Sequence, residues 1–95
     1  MNDIKDLYQL IWNYHDGKID IDCFTNNFTI TFNIDIDYDQ LSEMEYKLFE
    51  ELAYITSRYS PFEEEVQKYR KYSYYYNELD VFNKVKEVID KVLIL

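Results

Sequence analysis

Phe28-Thr29-Ile30-Thr31-Phe32-Asn33-Ile34-Asp35-Ile36 decides the fold of this chain. Its apolar residues alternate with Thr, Thr, Asn and Asp, which taken alone is the period of a half-buried strand. The residues ahead of it oppose that reading. Asp20 is placed to cap a helix, and Ile19 before it can staple against Phe24 after it. Ile21, Phe24, Phe28, Thr31 and Phe32 then fall on one helical face. A strand also needs a partner for its backbone hydrogen bonds, and no other segment alternates convincingly. The expectation is a helix from Asp20 to about Asn33.

The flanking segments carry the helical period more openly. From Asn2 to Tyr14, the apolar residues Ile4, Leu7, Tyr8, Leu10, Ile11 and Tyr14 make one stripe, with Asn2 as its cap and Asp3 and Asp6 near the positive end of the helix dipole. Gly17, the one glycine of the chain, follows His15 and Asp16, where a helix takes a left-handed stop. Ser42 with Glu45 three residues on is a capping box, and Leu41 with Tyr46 supplies a staple. Leu48, Phe49, Leu52, Ile55 and Tyr59 continue that helix, which is expected to end near Tyr59, before Ser60 and Pro61. Residues 62 to 76 read as a long ordered connection or an extra short helix. A final helix capped near Asn77 repeats Leu79, Phe82, Val85, Val88 or Ile89, and Val92 on one face. Four amphipathic helices with short links predict an all-α fold, an antiparallel four-helix bundle, in a single domain over residues 1–95.

The totals are compatible with that. Hydrophobic residues are 47% of the 95, enough for a core. The aromatic content argues against disorder. One cysteine forms no internal disulfide, which fits a reducing, cytoplasmic setting. The sequence shows no signal peptide and no stretch near the ~18 apolar residues of a membrane helix.

Charge is the strongest functional signal. The formal net charge is −9, and fifteen of the nineteen acids precede Val66, where they face only Lys5, Lys18, Lys47 and Arg58. Such a chain repels nucleic acid and anionic membranes and is steered toward basic surfaces. Chemistry is scarce by comparison. One His excludes a di-iron bundle, and Cys23 and His15 have no obvious zinc-ligand partners. His15 reads as a solvated or capping residue at a helix end, and Cys23 as a small core or semi-core residue. No glycine-rich loop is present to hold a phosphate. Asp35, Asp37 and Asp39 raise calcium, but Gln40 stands where an EF-hand needs Gly, and Tyr46 where it needs Glu. No enzyme activity, cofactor or metal is expected.

The candidate partner-binding residues are acids and tyrosines. Glu63, Glu64 and Glu65 sit in a connection beside Pro61, where binding residues tend to be displayed. Glu50 and Glu51 lie off the third apolar stripe beside Tyr54, and Tyr59 closes that helix; acids beside exposed Tyr make a binding surface at low entropic cost. Tyr72 to Tyr76 can serve likewise or pack over the bundle end. An acidic surface that serves only solubility is the plain alternative.

Arg58-Tyr59-Ser60-Pro61 with acids following, the terminal helix Val81-Phe82-Asn83-Lys84-Val85-Lys86-Glu87-Val88-Ile89-Asp90-Lys91-Val92, and the opening Leu7-Tyr8-x-Leu10-Ile11, Gly17-Lys18-Ile19 and Phe24 together resemble bacterial self-protective immunity proteins of the colicin D type, a group with relatives among contact-dependent growth-inhibition immunity proteins. The stretch from Lys68 to Tyr76 is longer and more basic than that pattern. The resemblance implies a four-helix bundle that binds a cognate toxic nuclease domain, usually a tRNA-cleaving one, and covers its basic active site. On the family's pattern Glu63 and Glu64, with Glu65 adjacent, contact the toxin, while Arg58 and Pro61 are structural. The expectation is a cytoplasmic immunity protein without catalysis, membrane contact or direct nucleic-acid contact, a monomer or weak dimer when free. The rival expectation is an acidic nucleic-acid mimic or adaptor that binds a basic DNA-binding protein.

Overall fold

A computed structural model describes residues 4–72 and 75–93, and those residues are helical or in short connections, with no strand among them. The expected cap Asn2, and Tyr74 of the tyrosine cluster, lie outside the described residues. Helix α1 spans Ile4–His15 and buries Leu7, Ile11 and Tyr14. It stops as the sequence predicts. Gly17 takes φ 77, its N–H donates to the Tyr14 carbonyl at 3.1 Å, and the Lys18 N–H donates to the Asn13 carbonyl at 2.8 Å. These two bonds satisfy carbonyls that the helix end would otherwise orphan. Nothing lies within 4 Å of a Cβ placed on Gly17, so the backbone alone penalises a side chain there. Gly17→Ala is expected to cost about 1–2 kcal/mol in urea unfolding, and Gly17→Asn less. An alanine variant as stable as the parent would refute the left-handed stop.

Helix α2 spans Ile21–Ile30 and continues as one wider π-helical turn, Thr31–Asp35. Asp20 caps it, accepting from the Cys23 N–H at 2.8 Å. The strand reading of the deciding stretch is therefore set aside. Phe24, Phe28, Phe32 and Ile36 go to the core, while Ile30 and Ile34, which a strand would place on the same face as Phe28, are 51% and 75% exposed. The Tyr38 hydroxyl donates to the Phe32 carbonyl at 2.7 Å and so satisfies an acceptor of the wide turn. Cys23 is exposed rather than in or near the core. It lies one residue, about 100° of helical rotation, from Phe24, which takes the inward direction.

Helix α3 spans Glu43–Ser57 behind a complete capping box. Ser42 Oγ accepts from the Glu45 N–H at 3.1 Å, and Glu45 Oε1 accepts from the Ser42 N–H at 2.8 Å. Glu45 Oε2 accepts a hydrogen bond from the Tyr8 hydroxyl, which ties the cap to α1. The buried stripe is Leu48, Phe49, Leu52, Ala53 and Thr56; Ile55 and Tyr59 sit at its half-buried margin. Tyr46 meets the rings of Phe32 and Tyr38 and stays largely exposed.

The connection after α3 holds an extra short helix, α4, Glu63–Lys68, followed by one 3-10 turn, Arg70–Tyr72. The excursion is closed at its neck, where the Ser60 N–H donates to the Tyr76 carbonyl (2.9 Å) and the Tyr76 N–H to the Arg58 carbonyl (3.0 Å). Val66, fully buried, plugs the excursion from within. Helix α5 spans Glu78–Val88 and ends in a π-helical turn, Ile89–Leu93. Asn77 and Asp80 form its capping box. The buried stripe of α5 is Val81, Val85 and Val88. Leu79, expected on that stripe, is 64% exposed, because two residues before Val81 is 200° of rotation, the far side of the helix.

Helix α1 packs on α2 and α5, and α3 packs on the same two, so these four surround one core while α4 stays outside it. Aromatic rings join the elements. Tyr14 stacks on Phe24 at 4.6 Å, Tyr8 meets Phe49 edge-on at 5.5 Å, and Phe28 meets Phe49 at 6.1 Å. No helix among the described residues is long and apolar enough to cross a membrane.

The tyrosines give this core a pH dependence. Burial first, then the Glu45 and Glu78 carboxylates, push the Tyr8 and Tyr14 phenols well above the ordinary tyrosine pKa. A folded-state pKa raised above the unfolded value contributes stability below about pH 10 that is lost as pH rises beyond it. For buried Tyr14 the loss approaches about 1.4 kcal/mol per pH unit. Urea midpoints are expected to fall between pH 9.5 and 11.5 (about the range of free phenol ionisation), less steeply in Tyr14→Phe. Equal slopes in parent and variant would remove Tyr14 as a cause.

Candidate partner-binding surface

The outer face of α3 is built at four-residue steps. Tyr46, Glu50, Tyr54 and Arg58 follow one another along it, a spacing that brings side chains of successive turns together. The Tyr46 phenol is held above its ordinary pKa, first by its hydrogen bond to the Glu50 carboxylate and then by that carboxylate's charge. The Arg58 guanidinium lies over the Tyr54 ring, 3.9 Å from its centroid. Tyr54 also meets the Tyr76 ring edge-on at 6.2 Å, and Tyr76 is held there by its backbone bonds to Arg58 and Ser60.

Two shallow grooves flank this row. The larger, about 450 Å³, is lined by Glu50, Glu51, Tyr54, Ile55, Tyr76 and Lys84, and more of its lining is apolar than polar. The smaller, about 300 Å³, has Tyr38, Tyr46, Glu50, Tyr54 and Arg58 among its walls. Glu50 and Tyr54 line both, so they form the ridge between them.

The two acids of the larger groove differ in state. Glu51 accepts from Lys84 Nζ at 2.5 Å, and Lys84 also meets Glu87, which pairs with Lys91 at 3.1 Å. This alternating ladder bridges α3 to α5 and balances its own charge. The hydrogen bond from Lys91, aided by Lys84, holds the Glu87 carboxyl below its usual range. Glu50, by contrast, is exposed and makes no ion pair among the described residues.

The other sequence candidates are dispersed. Glu63 and Glu64 are exposed on the first turn of α4, where their charge complements the positive helix end. Glu63 accepts from the Gln67 amide at 2.7 Å. Glu65 is half-buried and turned inward, accepting from the buried Ser60 hydroxyl at 3.0 Å while Ser60 Oγ accepts from the Phe62 N–H. Tyr59 is half-buried too. Burial first, then Asp22, Glu78 and Asp20, raise its pKa, and it lines a cleft of about 340 Å³ toward Asp22, Thr25 and Thr29 of α2, apart from the α3 grooves. The structure thus gathers Glu50, Glu51 and Tyr54 in one groove, sets Glu63 and Glu64 on α4 outside that groove, and gives Glu65 and Tyr59 work inside the fold.

Tyr46 and Lys84 belong to this surface without having been candidates for it in the sequence, whereas Tyr76 comes from the Tyr72 to Tyr76 cluster, expected either to bind or to pack over the bundle end. Tyr46 was legible, one helical turn before Glu50. Tyr76 and Lys84 reach the groove only through tertiary contacts with α3. Among the described residues no group of three His, Cys, Asp or Glu side chains could hold a metal ion. Asp37, of the aspartate run, accepts from the Asp39 N–H and so caps the turn Tyr38–Gln40. His15 ends α1 with Nδ1 3.1 Å from Asp16 and its ring stacked on Phe82.

Comparison with known protein families, curated proteins and solved structures finds no match to this chain.

Proposed function

We propose that this chain is a cytoplasmic immunity protein, without catalysis, that binds and neutralises a cognate toxic nuclease domain of the tRNA-cleaving kind. In this reading α1, α2, α3 and α5 form an antiparallel four-helix bundle that serves as a rigid support for an acidic face. The observation that carries it is the acid-and-tyrosine row of α3, with exposed Glu50 and Tyr54 between two grooves, to which α4 adds exposed Glu63 and Glu64. An RNase cleft must be positive to hold phosphates. An acidic face occupies such a cleft in place of RNA, and the charge difference speeds the encounter. The resemblance to colicin D-type immunity proteins supports the same class of partner.

The test is affinity capture from the source organism, at low and high salt, with the full chain as bait. A stoichiometric, salt-sensitive complex with a basic nuclease, in which RNA cleavage stops, is the expected result. Capture of a DNA-binding protein instead would replace this reading with that of a nucleic-acid mimic or adaptor. Recovery of no basic protein would leave the acidity to solubility alone.

A further inference from the structure

Resting on the reading of α3 as a partner-binding face, we infer that the larger α3 groove seats one arginine side chain of the basic partner. The groove offers what an arginine requires along its length. Its apolar walls, Ile55 with the Tyr54 and Tyr76 rings, suit the aliphatic stem, and Glu50 at the ridge suits the charge. Glu51 is matched by Lys84, so the charge left to attract a cation is that of Glu50. The free chain itself displays the required chemistry. Arg58 lays its guanidinium over Tyr54 from the side of the smaller groove, which it lines, whereas Tyr76 lines only the larger. A second guanidinium entering the larger groove meets the same ridge from the other side. A planar guanidinium stacks on aromatic faces and pairs with carboxylate in a way that an ammonium does not, which selects arginine over lysine. The acidic chain around the site favours the same ligand at longer range.

The test is a titration of the full chain with the capped peptide Gly-Gly-Arg-Gly-Gly, followed by amide chemical shifts in NMR. Saturable shifts centred on Glu50, Tyr54, Ile55 and Tyr76 are expected. The same peptide with neutral citrulline in place of arginine should bind at least about fivefold more weakly, as should the arginine peptide to Glu50→Gln. Glu50 is exposed, so that variant keeps the fold, and unchanged amide shifts elsewhere would show it. Equal affinity for arginine and citrulline would overturn the proposal, since the groove would then select no charge. Equal affinity for a lysine peptide would overturn the choice of arginine. Shifts centred on Glu63 and Glu64, or no shifts, would overturn the groove as the seat. Those last results leave the broader partner reading standing, because affinity capture of a basic nuclease decides that reading separately.

Discussion

Phe28→Ala is expected to destabilise the chain by about 3–5 kcal/mol, while Ile30→Ala and Ile34→Ala each stay within about 1 kcal/mol. Phe28 is fully buried, its ring 5.5 Å from Phe24, 6.4 Å from Phe32 and 6.1 Å from Phe49. Truncation removes the transfer energy of a whole aromatic ring and leaves a cavity that the neighbouring rings cannot close without leaving their own contacts. A domain of this size has about 5–15 kcal/mol in total, so the variant would sit near the edge of folding. The comparison with Ile30 and Ile34 makes the test specific. A strand would put all three side chains on one face and make their truncations comparable, whereas the helix points Phe28 inward and leaves the two isoleucines in solvent. Urea unfolding of the three variants decides it. Losses at Ile30 or Ile34 that rival the loss at Phe28 would overturn the helical assignment.

The second large effect concerns association. The triple charge reversal Glu50→Lys, Glu63→Lys, Glu64→Lys is expected to weaken binding to a basic nuclease by about 100-fold or more at low salt, with the deficit shrinking as salt rises. All three residues are exposed, so the core is untouched and stability should fall by only about 1–2 kcal/mol, from the lost match of Glu63 and Glu64 to the positive end of α4. Asp16→Lys with Asp90→Lys serves as the control, since both are exposed on other elements and alter the net charge in the same direction. If the control weakens capture as much per charge as the triple variant, binding follows net charge and not this face. Unchanged binding by the triple variant would remove both the α3 ridge and the α4 acids from the interface. Splitting the triple into Glu50→Lys and the Glu63/Glu64 pair then separates the contribution of the groove from that of the α4 projection.

Much of the fold was legible because its signals are local. The Asp20, Ser42 and Asn77 caps each bond a backbone N–H three residues away, and Gly17 stops α1 through bonds to carbonyls within five residues. Such interactions are complete within one turn of chain, so residue type and spacing suffice to find them. The apolar stripes of α1 and α3 were legible for the same reason. Failures occurred where a local pattern had two readings. Leu79 and Cys23 are apolar in type but lie off the inward direction of their helices, and only the packing of α5 and α2 fixes that direction. The site was half legible. Glu50, Glu51 and Tyr54 were marked by composition on one helix, and Tyr46 and Arg58 shared their four-residue spacing.

By itself the sequence determined an acidic chain of amphipathic helices, the caps that begin α2, α3 and α5, the glycine that stops α1, and which acids stand off the apolar stripe of α3. Over Phe28 to Asn33 the Asp20 cap and the helical face already favour helix over strand, and tertiary structure completed that choice, since the partners Phe24 and Phe49 reward one face of the stretch with burial. Tertiary structure alone joined Ser60 to Tyr76, brought Tyr76 to Tyr54 and Lys84 to Glu51, and so made a groove out of residues from three parts of the chain. The physical reason is the range of the interactions. Caps and turns are satisfied by neighbours a few bonds away, whereas a groove and the state of each charge in it depend on which distant side chains the closed core brings into contact.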